Sequence, residues 1–204
     1  MTYGLVIDND YLRQYPEYKD KTDSQITAAD RSKVALKEMN VYQGEATQRC
    51  DQLISQHGDQ NRNTATVGCR IYNASGDRIT VNFTHSWVGH FFKESPDEYV
   101  ENGQWSVFVV VADPVGAAIY RTTGQTDIFV GWRHYSHAAW ADDISCYVES
   151  REKDHWWAVG SEGNLKDRLE KSGRSSTDNH YGYKVTGSIG GSNPNSFQVI
   201  IEKS

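Results

Sequence analysis

Two pairs of histidines carry the chemistry this chain advertises. His85 and His90 flank Trp87 in the run from His85 to His90, and His134 and His137 bracket Tyr135, with Trp140 three residues further on. Imidazoles placed so closely could act as bases, metal ligands or hydrogen-bonding groups. A metal site would need three or four ligands converging from separate segments, and neither pair has the spacing of a familiar zinc motif. Asp142, Asp143, Glu149, Glu152 and Asp154 could supply paired carboxylates for acid–base work, although acidic residues beside strand ends are ordinarily just solvated. There is no Gly-x-Ser-x-Gly elbow, phosphate-binding loop, Gly-x-Gly-x-x-Gly turn or His-Glu-x-x-His helix. No metal or other cofactor is expected.

Aromatic residues say more. The chain holds six Trp and twelve Tyr, gathered at His85 to Phe92, Trp132 to Trp140 and His155 to Trp157. Such rings at strand ends serve as core, as stacking platforms for sugars, or as amphipathic groups at the lipid headgroup level. Trp105 and Trp132 follow strand patterns and read as buried, whereas Tyr135 and Trp140 lie among small and polar residues and read as exposed. The candidate ligand-binding set is therefore His85, Trp87, His90, His134, Tyr135, His137 and Trp140, on segments that each follow a strand.

The elements that must position these groups are mostly strands. Val67, Cys69 and Ile71, and then Ile79, Val81 and Phe83, alternate with more polar neighbours in the period-two pattern of half-buried strands. Asn73 to Asp77 supplies the turn between them. Val107 to Ala112 reads as a central strand buried on both faces. Val115 to Arg121, Asp127 to Arg133, Ile144 to Glu149 and His155 to Val159 follow as further strands. Glu162 to Lys171 reads as a helix with acid-before-base pairs at i,i+4, and Ser172 to His180 as a loop. Tyr183 to Ile189 and Phe197 to Ile201 close the chain. Seven to nine short strands without alternating helices predict a mainly β protein, an antiparallel β-sandwich.

Residues 1–60 differ, being charged and rich in helix formers. Thr27 to Asp30 resembles a capping box. Val34, Met39, Val41, Cys50, Leu53, Ile54 and His57 then recur at helical spacing, with Gly44 as a break and Gly58 as a stop. This N-terminal helical segment is expected to pack on the sandwich formed by residues 61–204.

Bulk properties exclude several classes. A formal net charge of −6 without a Lys/Arg cluster argues against nucleic acid as a partner. No apolar run is long enough for a membrane-spanning helix, and the first twenty residues lack the pattern of a secretory signal, so a cytoplasmic location is expected. Cys50, Cys69 and Cys146 read as reduced core residues. The sequons at Asn73 and Asn82 are accordingly expected to stay unmodified.

Ile26 to Asn40, Ile71 to Ile79, His85 to His90, Asn102 to Trp105 and Ala117 to Arg121 together resemble the plant 23-kDa jasmonate-induced proteins, over most of the chain. That family is named for induction by a stress hormone, and the resemblance brings no catalytic residues with it. More loosely, the order of strand, Asn-containing turn, strand, Trp-Gly segment and late Gly182 to Gly190 is similar to the aegerolysins and related actinoporin-like β-sandwiches, which bind membrane lipids. The resemblances imply an aegerolysin-like sandwich acting in stress or defence and taking a lipid headgroup or glycan on aromatic loops. An enzyme with a His/carboxylate site on those loops, and a stress-induced protein without a specific ligand, are the alternatives.

Overall fold

A computed structural model describes residues 2–58, 64–135, 143–158, 162–191 and 194–204. In chain order its elements are β1 (Thr2–Tyr3), α1 (Asn9–Leu12), α2 (Ala28–Glu38), α3 (Gln43–Gly58), β2 (Thr66–Ala74), β3 (Ile79–Phe91), β4 (Tyr99–Val100), β5 (Trp105–Thr122), β6 (Thr126–Tyr135), β7 (Asp143–Glu152), α4 (His155–Ala158), α5 (Glu162–Lys171), β8 (Ser175–His180), β9 (Tyr183–Gly190) and β10 (Asn195–Lys203).

These strands form two packed layers joined by β5. Its first half pairs with β2, which continues through β10 and β9 to β8. Its second half lies between β3 and β6, with β4 beyond β3 and β7 beyond β6. Between the halves, Ala112 and Asp113 take positive φ values of 65° and 55°, and the strand turns the corner from one sheet to the other. The two strands expected at Val107 and Val115 are thus one bent strand. Apolar alternation cannot reveal this, because a corner leaves the side-chain period intact on either side.

The inner faces meet as the pattern predicts. Val67, Cys69 and Ile71 of β2, Ile79 and Val81 of β3, Trp132 of β6, Cys146 of β7, Val185 of β9 and Val199 of β10 share one core. All three cysteines are buried and free. The pairing is not antiparallel throughout: β10 runs parallel to β2, from Asn195 opposite Val67 to Glu202 opposite Ala74. The β9–β10 hairpin enters beside β2 only after the chain has built the other sheet, and a partner so distant in sequence leaves no local signature.

α1 to α3 cover the outer face of the β2 sheet, where Leu12, Ala35, Leu53, Tyr72 and Trp105 form a second core. Thr27 caps α2 with reciprocal bonds, Asp30 N–H donating to Thr27 Oγ1 at 3.1 Å and Thr27 N–H donating to Asp30 Oδ2 at 2.8 Å. Gly68 lets α3 approach, since a Cβ there would lie 2.4 Å from Cys50 Sγ. The break between α2 and α3 falls just before Gly44, and it places Val41 in solvent, 61% exposed, rather than on the apolar stripe.

Two local expectations are corrected. His155–Ala158 is a helical turn, not a strand, and Ser175–His180 is a strand, not a loop. The latter carries almost no apolar residues because both its faces are largely solvated. Its Ser176 Oγ and Asp178 Oδ2 instead accept the N–H groups of Val148 and Ser150 at 3.1 and 2.9 Å, closing the edge of β7 with side chains.

Candidate functional site

The outer face of the other sheet is only partly covered. α4 and α5 lay Trp156 and Leu165 over Phe129, Ile119 and Ala117, while Phe83, Trp87 and Tyr147 flank them half-buried. Phe83, His85 and Trp87 form a continuous row: the Phe83 and His85 rings stack at 6.0 Å, and Trp87 meets His85 edge-on at 5.0 Å.

A bulge makes the row. The β3–β5 register shifts between Val81 and Phe83, so Val81 stays opposite Tyr120 in the core while Phe83 faces Ile119 on the outer side. Strict alternation had assigned Phe83 to the core with Ile79 and Val81. A second shift, between Ser86 and Val88, accommodates Trp87 as the extra residue. The segment from His85 to His90 is therefore irregular strand rather than loop.

The other candidates divide among three places. Tyr135, 37% exposed, ends β6 on the same outer face, beyond the level of Trp87 and two strands away, past Arg133, which like Val88 lies opposite Val115. Its neighbour His134 points the opposite way and is 0% exposed. His134 Nδ1 lies 2.9 Å from the Asn195 amide, whose oxygen accepts from it while the amide nitrogen donates to Gly190 and Gly191 carbonyls at 3.1 and 2.9 Å. This bond ties β6 to the start of β10. His90 is exposed opposite Val111, on the helix-covered side of the molecule near His57. His137 and Trp140 lie outside the described residues.

Of the carboxylates named with these histidines, Asp142 lies outside the described residues, and the others already have partners. Asp143 accepts from Arg133, with Nη1 to Oδ1 at 2.5 Å. Glu149 is buried and accepts from Tyr147 Oη at 3.0 Å, from Arg168 Nη1 at 2.9 and 2.7 Å, and from Arg151. Burial first, and then its bond to Glu149, push the Tyr147 phenol up. Among the described residues no group of three or more His, Cys, Asp or Glu is placed to hold a metal ion. An open cleft of ≈ 760 Å³ runs instead along α3, lined by polar side chains including Gln43, Thr47, Gln48, Asp51 and Gln52, away from the aromatic row.

The family model for Nakanori-like proteins matches residues 3–204. The chain belongs to the Nakanori-like family. The crystal structure of the lipid-binding protein Nakanori is 35% identical and superposes with a TM-score of 0.91 over 100% of both chains. The 23 kDa jasmonate-induced protein of Hordeum vulgare is 28% identical over 202 residues, 92% of this chain and 90% of that protein, in accord with the motifs read from the sequence. The lectin XCL of Xerocomus chrysenteron matches 68% of this chain and 99% of its own at 15% identity with a TM-score of 0.50, a likeness of fold alone.

Phe83 joins the row without having been singled out for a site in sequence, and Tyr147 lies on the same outer face against Phe129, with ring centroids 6.0 Å apart. Tyr147 was legible as an outward residue of its strand, but Phe83 needed the bulge. Flat apolar ring faces around an imidazole suit a ligand that is part apolar and part hydrogen-bonding.

Proposed function

We propose that this protein binds a membrane lipid at the headgroup level through the row Phe83, His85 and Trp87. The observation that carries the reading is this half-buried aromatic row on the sheet face that the helices leave partly open. The similarity to a lipid-binding protein over the whole chain supports it. His85 supplies the polar group between rings whose apolar bodies enter the interface. Tyr135, on the same outer face, extends the surface. A role in stress or defence, suggested by the similarity to a jasmonate-induced protein, and action from the cytoplasm belong to the same reading. The enzymatic alternative has less support, since His134 serves structure and Asp143, Glu149 and Asp154 are held by guanidinium groups.

Liposome flotation over vesicles of defined headgroup composition tests the proposal, beside a glycan array and thermal unfolding. Trp87→Ala should stay folded and lose ~10-fold or more of vesicle binding, the effect of removing an aromatic anchor. Full vesicle binding by the folded variant sinks this surface. Binding by the parent to no vesicle, with glycan binding that Trp87→Ala abolishes, transfers the row to a saccharide.

A further inference from the structure

The end of the sandwich away from Tyr135 holds a second constellation. Among the described residues six that are not glycine have positive φ, and three of them, Gln125 (61°), Asp154 (63°) and Tyr181 (53°), sit in three different connections that meet here. Tyr181 and Gly182, both at positive φ, form the two-residue turn between β8 and β9, a geometry that favours Asn-Gly because residues with a larger Cβ substituent are strained in it. The turns are tied together. Thr126 Oγ1 donates to the Tyr181 carbonyl at 3.5 Å, and the Asp154 N–H donates to Asp127 Oδ2 at 2.8 Å. Arg121 grips Asp127 at 2.7 and 2.8 Å and reaches Asp154 at 2.6 Å.

Tyr181 is 48% exposed, yet its phenol is fixed. It is hydrogen-bonded to Glu152, and Arg151 adjoins the pair. Glu152 Oε1 lies 3.0 Å from His155 Nδ1. The Tyr181 bond is the first cause, ahead of a backbone N–H and His155, holding the Glu152 carboxyl down at about 2. An aromatic face is thus presented to solvent, anchored from its hydroxyl end, at a position where folding alone favours Asn. Strain of this kind gathers at recognition sites, and a ring fixed beforehand loses little entropy on binding. The charges around it balance as a group, the carboxylates of Asp127, Asp154, Glu149 and Glu152 against Arg121, Arg151, Arg168 and Lys203, whose Nζ lies beside Gly182. Donors and acceptors are therefore offered with little net field, which favours a neutral polyhydroxylated ligand over an ion.

We propose that Tyr181, with Glu152, His155 and Gln125, forms a second binding site that takes a neutral saccharide, its C–H face stacked on the phenol ring. The site is distinct from the Trp87 row, since Thr126 opens β6 here and Tyr135 closes it at the other end.

Tyr181→Asn separates binding from folding, because Asn accepts the left-handed conformation. Binding would be read on immobilised chitin, mannan, galactan and xylan oligosaccharides, with vesicle binding and Tm measured in parallel. The variant should hold or raise Tm, keep vesicle binding, and lose ~10-fold or more of saccharide binding. Trp87→Ala should show the converse, so the two sites fail independently. The proposal is overturned if the parent binds no oligosaccharide, if Tyr181→Asn binds as the parent does, or if the variant loses Tm together with both activities.

Discussion

The two outer faces of the sandwich are built from similar strands and end in different states. On the β2–β5 side, three helices bury Tyr72 and Trp105 completely, and Tyr72 Oη donates to the Ala35 carbonyl at 2.6 Å. On the β5–β6–β7 side, a short helical turn and α5 cover Phe129 but leave Phe83, His85 and Trp87 half-buried. Both faces are rich in aromatic rings, so composition does not separate core from platform. What separates them is how much helix the chain supplies to each. Covered rings contribute to stability; partly covered ones are available to a ligand.

Truncating one tryptophan on each face gives the largest contrast. Trp105→Ala should cost about 3–5 kcal/mol of unfolding free energy in denaturant titrations, because it leaves a cavity in a closed layer. Trp87→Ala should cost about 1 kcal/mol or less, since half-exposed surface substitutions are usually mild. Equal losses would erase the distinction between the faces.

A smaller effect probes how closely α3 sits on its sheet. Gly68→Ala would bring a methyl to 2.4 Å from Cys50 Sγ and 2.9 Å from Ile54 Cδ1, and overpacking of that kind costs about 1–3 kcal/mol. Gly173→Ala meets nothing within 4 Å and should leave Tm almost unchanged. Insensitivity at Gly68 would mean the helical layer shifts freely on the strands.

The mildest test concerns pH. His57, buried at the end of α3 against the Phe92 ring at 5.1 Å, has an Nε2 without a hydrogen-bond partner, and burial, with a lesser push from His90, lowers its pKa. The unfolded chain then binds the proton more readily than the folded one. Stability from this group is present above the ordinary histidine range and is lost as pH falls through the lower folded value. His57→Gln should flatten that part of a stability–pH curve, and an unchanged slope would assign it to other groups.

The sequence alone determined much of this protein. Period-two alternation identified the inward residues of β2, β7, β9 and β10, the Thr27 capping box fixed the start of α2, and short motifs in order pointed to the right relatives. Burial of one strand face writes itself into local spacing, so these features were legible. Tertiary structure decided the rest. A bulge costs one residue of register and has no compositional mark, yet it turns Phe83 outward to join His85 and Trp87. The same alternation that makes Tyr135 accessible sends His134 into the core, and His90 ends on the far side of the molecule because β3 crosses from one sheet toward the other. Parallel pairing of β10 with β2, the bend joining two expected strands into β5, and the seating of α4 on Phe129 depend on partners far away along the chain. Spacing in one segment cannot encode them, because each follows from which surfaces remain unburied once the other elements have packed.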